Sequence, residues 1–514
     1  MIVAVDLAQE NLQFWIVHMV QLRKWRLLLN LDDAAPQASY RKIVEGLVAA
    51  ITEGRLRPGT ALPGTREMAQ LLDVNRKTVI LAYEEAVTKG WLESVPRRGT
   101  FVSQQLATAA VPVPGGPRSF ARVLRDAPAG AYFAANDQAT ALQQRPCALF
   151  FDNGACDHRL LPQAVLHRYY RNALRYSFAS NTVRHGSDGS GHYLRCALAQ
   201  MLRHDRGLNV QAEHICLTQG VQMSLYLAAS ALIEPGDVVL VERLSYPPAW
   251  EIFRRLGARL VTVDLDEQGC RVEQIDALCR LHPVRMLYIT PHHQFPTTVS
   301  LRAGRRRRLL ELARVHEFCV IEEDYDHEFH FAGRPYLPLA SDPAQRHVIY
   351  IGSLSKSLGS TFRCSYIVAP APVIEVFART AALTLGQGDA VMQRMLADLI
   401  NAGELRKHLR RVSKEYLRRR ETLARCLREA FAERVVVREP EGGLALWVVF
   451  DPAIDVQRLV AEALRLDLVV RSGRQFSPAG EAENALRLGF ASLDQGEISL
   501  AVRRLAQAAA AIAG

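Results

Sequence analysis

Short apolar runs recur through the middle of this chain, and they limit its fold more than any other feature. They are Val238-Val239-Leu240-Val241, Leu260-Val261-Thr262-Val263, Met286-Leu287-Tyr288-Ile289, Cys319-Val320-Ile321, His347-Val348-Ile349-Tyr350-Ile351 and Tyr366-Ile367-Val368. Runs that do not alternate with polar residues are buried on both faces. Helical stretches separate them, and crossovers of that kind return a chain to a parallel neighbour. The pattern therefore predicts a mostly parallel sheet covered by helices on both faces, starting near Pro146. After about Val373 the chain reads as helical, including a basic stretch from Leu405 to Arg428. It ends in a smaller α+β unit around Leu444-Ala445-Leu446-Trp447-Val448-Val449. There are no internal repeats.

With 514 residues the chain exceeds one ordinary domain. A separate compact unit spans about Tyr40 to Val102. Ile43, Leu47, Val48 and Ile51 recur at helical spacing, and Gly54 ends that helix. Thr65 is expected to cap a second helix carrying Met68, Ala69, Leu71 and Leu72. A turn at Asp73-Val74-Asn75 leads into a third, Arg76 to Lys89, with Val79, Ala82, Tyr83 and Val87 on its apolar face. Two short strands, Trp91 to Ser94 and Gly99 to Val102, flank Arg97-Arg98. Three helices and a two-stranded wing predict a winged helix-turn-helix. From about Ser103 to Arg145 the chain is rich in Ala, Pro and Gly, as interdomain linkers are. The expected organisation is an extension over 1–36, the winged helix over 37–104, a linker over 105–146 and the α/β region over 147–514. The extension reads either as a loosely packed segment or as a start placed too early.

A helix-turn-helix leads its second helix into the major groove by that helix's N-terminal residues. Here these are Asn75, Arg76, Lys77 and Thr78. Arg and Asn read base edges, while Lys and Thr hold phosphates. Arg66 is placed to reach the backbone, and Arg97 and Arg98 sit at the wing tip. A net charge of +10 suits a polyanionic partner without establishing one. The runs Arg305 to Arg308 and Arg418 to Arg420 read either as further DNA contacts or as solvated helix faces. The nine cysteines show no C-x-x-C pair, as expected for reduced thiols in a cytoplasmic protein. No segment approaches the length of a membrane span.

The chemistry centres on Lys356, in the Ser-rich loop Gly352-Ser353-Leu354-Ser355-Lys356-Ser357-Leu358 that follows a predicted strand. Arg363 comes seven residues later. An amine there can form an imine with an aldehyde, while Ser353, Ser355 and Arg363 hold that molecule's phosphate. The aldehyde would be pyridoxal phosphate. Gly220, Val221 and Gln222 open an apolar helix whose free amides suit the same phosphate. Tyr246 offers a ring to stack on, and Gln294 lies in a loop expected to line the ring edge. In Glu322-Glu323-Asp324-Tyr325-Asp326 a carboxylate would pair with the pyridinium nitrogen, and Tyr325 would bond the ring oxygen. Arg487 is placed to hold a ligand carboxylate. No metal site is expected.

Two resemblances sharpen this reading. The stretch Gly54-Arg55-Leu56-Arg57-Pro58-Gly59-Thr60-Ala61-Leu62-Pro63, with Thr65 to Ala69, Ala82-Tyr83-Glu84 and Gly99 to Val102, resembles the DNA-binding domain of GntR regulators. The α/β region resembles the fold-type I, class I aminotransferases. Together they resemble the MocR subfamily of GntR regulators, whose Tyr-Asp-x-Glu-Phe and Ser-His-Gln-Phe-Pro-Thr-Gly patterns appear here at Tyr325 to Phe329 and His292 to Thr298. The resemblance implies a homodimer that binds operator DNA and senses an amino-acid-like or vitamin B6-related ligand through an internal aldimine. Three positions depart from it. Phe295 stands where catalytic aminotransferases commonly have Asn, Thr298 replaces a Gly, and so does Ser365. Either Glu323 or Asp324 could face the pyridine nitrogen; the shorter Asp324 is the expected choice. Retained cofactor without full transamination is the expected state. The alternatives are a working aminotransferase with an accessory DNA-binding domain, and a regulator with a vestigial cofactor site.

Overall fold

The computed structural model describes residues 39–96, 98–104, 149–179, 189–332, 336–342, 346–386, 388–481 and 483–513. Arg97, the expected extension over 1–36 and the expected linker over 105–146 lie outside them. The chain divides into two compact units, Met1–Ala135 and Asn136–Gly514.

The first unit has three helices, α1 (Ser39–Thr52), α2 (Thr65–Leu72) and α3 (Arg76–Thr88). Ile43, Leu47, Met68, Leu72, Val79, Ala82 and Tyr83 bury a shared core. The Tyr83 hydroxyl donates to the Pro63 carbonyl at 2.9 Å, so its polar end is satisfied. β1 (Leu92–Val95) and β2 (Gly99–Val102) pair antiparallel with Leu92 opposite Val102, and both side chains join that core. Two expectations need correction. Thr65 is the first residue of α2 and does not cap it; the N-cap is Gly64, with no side-chain bond. Ala86, not Val87, continues the buried stripe of α3, and Val87 is exposed. The stripe follows i, i+3, i+4, i+7 from Val79, which reaches 86 and turns 87 outward.

The second unit is built on a seven-stranded sheet. Its strands are β3 (Ile215–Thr218), β4 (Val238–Glu242), β5 (Arg259–Val263), β6 (Val284–Ile289), β7 (Cys319–Asp324), β8 (Val348–Ser353) and β9 (Ser365–Val368). In space they run β3-β9-β8-β7-β6-β4-β5. The central pairings are parallel, and β9 alone runs against its neighbours. The apolar runs split by parity, as a period of two requires. Val239, Val241, Tyr288, Ile321 and Ile351 pack on one face against α5 (Val221–Leu232) and α7 (Ala371–Leu385). Val238, Leu240, Leu287 and Val320 pack on the other against α6 (Ala303–His316). The helices α4 (Gly189–Arg206) and α8 (Ala390–Asn401) cover the β3 end of the sheet.

Past β9 the chain runs through the long helix α9 (Glu404–Phe431) to a four-stranded antiparallel sheet. Its strands are β10 (Val435–Val437), β11 (Ala445–Phe450), β12 (Arg471–Ser472) and β13 (Ala485–Gly489), in the order β10-β11-β13-β12. Leu446 and Leu488 of this sheet pack against Leu423 and Leu427 of α9 and Leu505 of α10 (Gln495–Ala513).

Candidate functional site

The loops after β3, β6, β7 and β8 lie at the carboxyl ends of parallel strands, where open α/β sheets leave a crevice. β8 ends at Ser353, and one helical turn, Ser355–Leu358, carries Lys356. Its Nζ donates to the carbonyls of Gly154 at 2.7 Å and Asn153 at 3.3 Å. Burial pulls the Lys356 amine below the ordinary lysine range; Asp152 opposes this and Arg487 adds to it. A lowered value raises the fraction of neutral, nucleophilic amine at neutral pH. Sequence reasoning missed Asn153 and Gly154. The signal was there in Asp152-Asn153-Gly154, a turn composition in which Asp152 Oδ1 accepts from the N–H of Gly154 and Ala155.

Gly220 links β3 to α5 with φ of 102°, a backbone setting that favours glycine. A Cβ there would lie 3.2 Å from the Arg363 guanidinium, so Gly220 lets that cation close on the helix N-terminus. Arg363 donates to the Gln219 carbonyl at 3.2 Å. The leading amides of α5, from Val221 and Gln222, have no partner within the helix. Ser353 Oγ accepts from the Ser355 N–H at 3.1 Å and lies 3.0 Å from Ser365 Oγ. Tyr246 borders the same space, its hydroxyl bonded by Gln222; burial, then the charge of Glu323, pushes it up to about 12. Gly220 and Arg363 are thus brought together, Tyr246 and Gln222 adjoin them, and Ser353 and Ser355 flank Lys356 in its loop.

Other expected residues are engaged differently. Gln294, expected at the ring edge, is hydrogen-bonded within its own loop and to Glu242. Its amide nitrogen donates to Glu242, to the Leu244 carbonyl and to the Phe295 carbonyl, and its oxygen accepts from Thr297. The side chain is buried and fully satisfied, so it holds the loop together. Tyr325 donates to the His293 carbonyl at 2.8 Å. Asp324 turns toward a buried network: Tyr350 donates to it at 2.9 Å, His327 lies at 3.0 Å and Arg206 at 3.9 Å. Burial alone would raise its pKa, but His327 and then Arg206 hold it well below the usual carboxylate range. Glu323 is the acid whose charge raises Tyr246, and the Lys356 amine in turn favours its ionised form. It accepts from Tyr288 at 2.5 Å, and burial pushes it up to about 7. Adjacent strand residues face opposite ways, so only one of the two acids can look into the crevice.

Arg487 in β13 is almost completely buried. It donates to the Pro296 carbonyl at 2.6 Å and approaches Tyr325 Oη at 3.5 Å, with its carbon 4.4 Å from the Phe295 ring centroid. Among the described residues no carboxylate pairs with it, and its Nε is buried without a partner. A buried guanidinium left without an acid is costly.

In the first unit, Arg66, Asn75, Arg76, Lys77 and Arg98 are exposed and Thr78 is half-buried. Asn75 also caps α3, its Oδ1 accepting from the Lys77 N–H at 2.9 Å. Arg76 Nε donates to Thr65 Oγ1 at 3.4 Å. The two arginine runs are not free basic faces. Arg305 pairs with Asp266, Arg306 is buried against the Leu337 carbonyl, and Arg419 is buried against Asp157 at 2.9 Å.

Residues 39–102 match the gntR family of bacterial regulatory proteins, and residues 159–505 match the aminotransferase class I and II family. The HTH-type transcriptional regulator TauR of Rhodobacter capsulatus is 30% identical over 475 residues, covering 91% of this chain and 94% of TauR. The probable rhizopine catabolism regulatory protein MocR of Rhizobium meliloti is 29% identical over 474 residues, covering 91% of this chain and 93% of that one. The chain belongs to the MocR-type GntR regulators. In fold, this regulator is similar to the kynurenine aminotransferase of Pyrococcus horikoshii, solved in complex with PMP, with a TM-score of 0.70 at 24% identity over 76% of this chain and 98% of the other. The regulator reading thus stands over that of an aminotransferase with an accessory DNA-binding domain. Among the described residues no helix is long and apolar enough to cross a membrane.

Proposed function

We propose that this regulator holds pyridoxal phosphate on Lys356 and responds to an amino-acid-like ligand whose carboxylate pairs with Arg487. The observation that carries the reading is Arg487 itself, a buried cation without an acid partner among the described residues that lies close enough to lower the Lys356 amine. The surroundings fit the cofactor. Arg363 against Gly220, with the leading amides of α5, makes an anion cradle that a Cβ would crowd. Tyr246 supplies an aromatic face. Glu323, rather than Asp324, is the acid proposed for the pyridine nitrogen, because Asp324 already answers His327 and Arg206. When bound, pyridoxal phosphate supplies an aldehyde that condenses with amines and a ring that draws electrons from the bonds beside them.

The protein's own part is to present a neutral amine at Lys356, fix the phosphate and orient the ligand's carboxylate. Phe295, packed between Tyr246, Tyr325 and Phe476, offers no polar atom to the ring oxygen. That supports sensing over sustained transamination. A ligand shifts the regulator only through unequal affinity for two forms of the second unit. The partners proposed are operator DNA and a second copy of the chain.

The test is absorbance of the purified protein with added pyridoxal phosphate, then borohydride reduction and peptide mapping. The expected result is a visible band fixed to Lys356, lost in Lys356→Ala, with no steady production of keto acid from any amino acid. A label on another lysine, or a colourless protein, overturns the proposal. Sustained turnover favours the enzyme reading.

A further inference from the structure

Behind the loop that carries Tyr325, four histidines crowd together. His292 and His293 follow β6, and His327 and His330 follow β7. The ring centroids of His292 lie 4.3 Å from His293, 4.8 Å from His327 and 5.9 Å from His330. His292 and His293 are 4% and 1% exposed, and the Nε2 of each is buried without a hydrogen-bond partner. A ring nitrogen of His330 is unpartnered as well. Buried imidazole nitrogens normally find a donor or acceptor, so the unpartnered nitrogens of His292, His293, His327 and His330 in one cluster need an explanation.

We propose that His292, His293 and His330 bind one divalent ion of the zinc class. Their ligand nitrogens all lie within 4.8 Å of one another. Small ring rotations bring them to the roughly 3.4 Å expected between nitrogens about 2.05 Å from a tetrahedral ion. A set of three imidazoles selects zinc, cobalt or nickel over magnesium or calcium. His293 is already arranged as a ligand: Asp326 Oδ1 lies 2.7 Å from its Nδ1, which fixes the ring and frees Nε2. Backbone bonds from Phe331 to Glu441 and from Gly443 to Phe329 hold His330 beside Gly442. A Cβ on Gly442 would lie 2.5 Å from His293 Nε2, so only glycine leaves that nitrogen open.

A second triad, His292 with Asp324 and His327, meets the same distance test. It is already an ion-pair network with Arg206 and Tyr350, and so is the weaker candidate. The nearby cations are answered by acids: Arg306 faces Glu322 at 3.9 Å, and Arg206 pairs with Glu328. An entry path exists, since His327 and His330 line a cleft of about 1360 Å³. The ion would clamp the loop after β6 to the loop after β7, with its fourth position open toward that cleft.

The test uses tag-free, chelator-treated full-length protein without pyridoxal phosphate, so its failure is separate from failure of the cofactor reading. Zinc is titrated against a chromophoric competitor. One tight equivalent per chain is expected, weakened at least about 100-fold in His292→Ala and in His330→Ala, as loss of a ligand requires. His330→Gln serves as the control for volume, with apo-state melting to verify folding. Cobalt in place of zinc should give the visible bands of a low-symmetry tetrahedral site. Absence of a tight equivalent, or one that survives both alanine substitutions, overturns the proposal.

Discussion

Thr298 sits at φ of 64°, where a β-branched residue is strained and glycine is not. Thr298→Gly is therefore expected to stabilise the protein by up to about 1 kcal/mol, seen as a higher melting temperature. The greater freedom of glycine in the unfolded chain keeps the gain small. Glu323 and Asp324 give a sharper contrast. Asp324→Asn removes a charge that balances His327 and Arg206 in the interior, and should destabilise the fold by about 3 kcal/mol in denaturant titration. Glu323→Gln breaks no ion pair among the described residues, since Glu323 accepts only from Tyr288, so its main effect should fall on affinity for pyridoxal phosphate and on the absorbance of the bound form. The reverse pattern would exchange the roles assigned to the two acids. The sequence did not separate them, because a shift of one residue in a strand inverts every side chain.

At the scale of elements, the loop after β6 is anchored by Glu242 at the end of β4. This acid accepts from the Thr290 N–H and hydroxyl and from Gln294, and burial pushes it up to about 7. Because the folded value lies above the ordinary 4.5, the folded state holds the proton more tightly. Its contribution to stability is complete below 4.5 and is lost as pH rises through about 7. Glu242→Gln should remove that loss. The melting temperature of the variant, relative to the parent, should rise between those limits, and a constant difference would contradict the assignment. The strands were legible because burial on both faces leaves unbroken apolar runs. β3 was not, since only four residues, Ile215 to Thr218, stand between the turn His214 ends and the loop of Gly220. The contact of Lys356 with Gly154 was out of reach too, because partners 202 residues apart share no local pattern.

At the scale of the whole molecule, the sequence separated two functions into two units with different architectures. Arg76→Ala, on the exposed start of α3, should weaken binding to a target DNA by about 10-fold, as loss of one base or phosphate contact does. It should leave the cofactor spectrum unchanged, because α3 belongs to a unit with its own core. Fluorescence anisotropy at fixed salt, beside an absorbance scan, checks both. The fold class was legible from patterning alone, but the pairing of functions came from particular residues: Lys356 in its Ser-rich loop and Arg76 after a tight turn. Asp73, in the left-handed region at φ of 55°, makes that turn and so sets the angle between α2 and α3. Finally, the reversed strand β9 pairs its first residue, Ser365, with Ser353 on one side and Thr218 on the other. One residue thereby rivets the loop bearing Lys356 to the turn bearing Gly220, and the two halves of the anion cradle are bound to travel together. A conformational response of the kind proposed would then have to hinge outside that cradle, and the strand holding Arg487 lies in a different sheet.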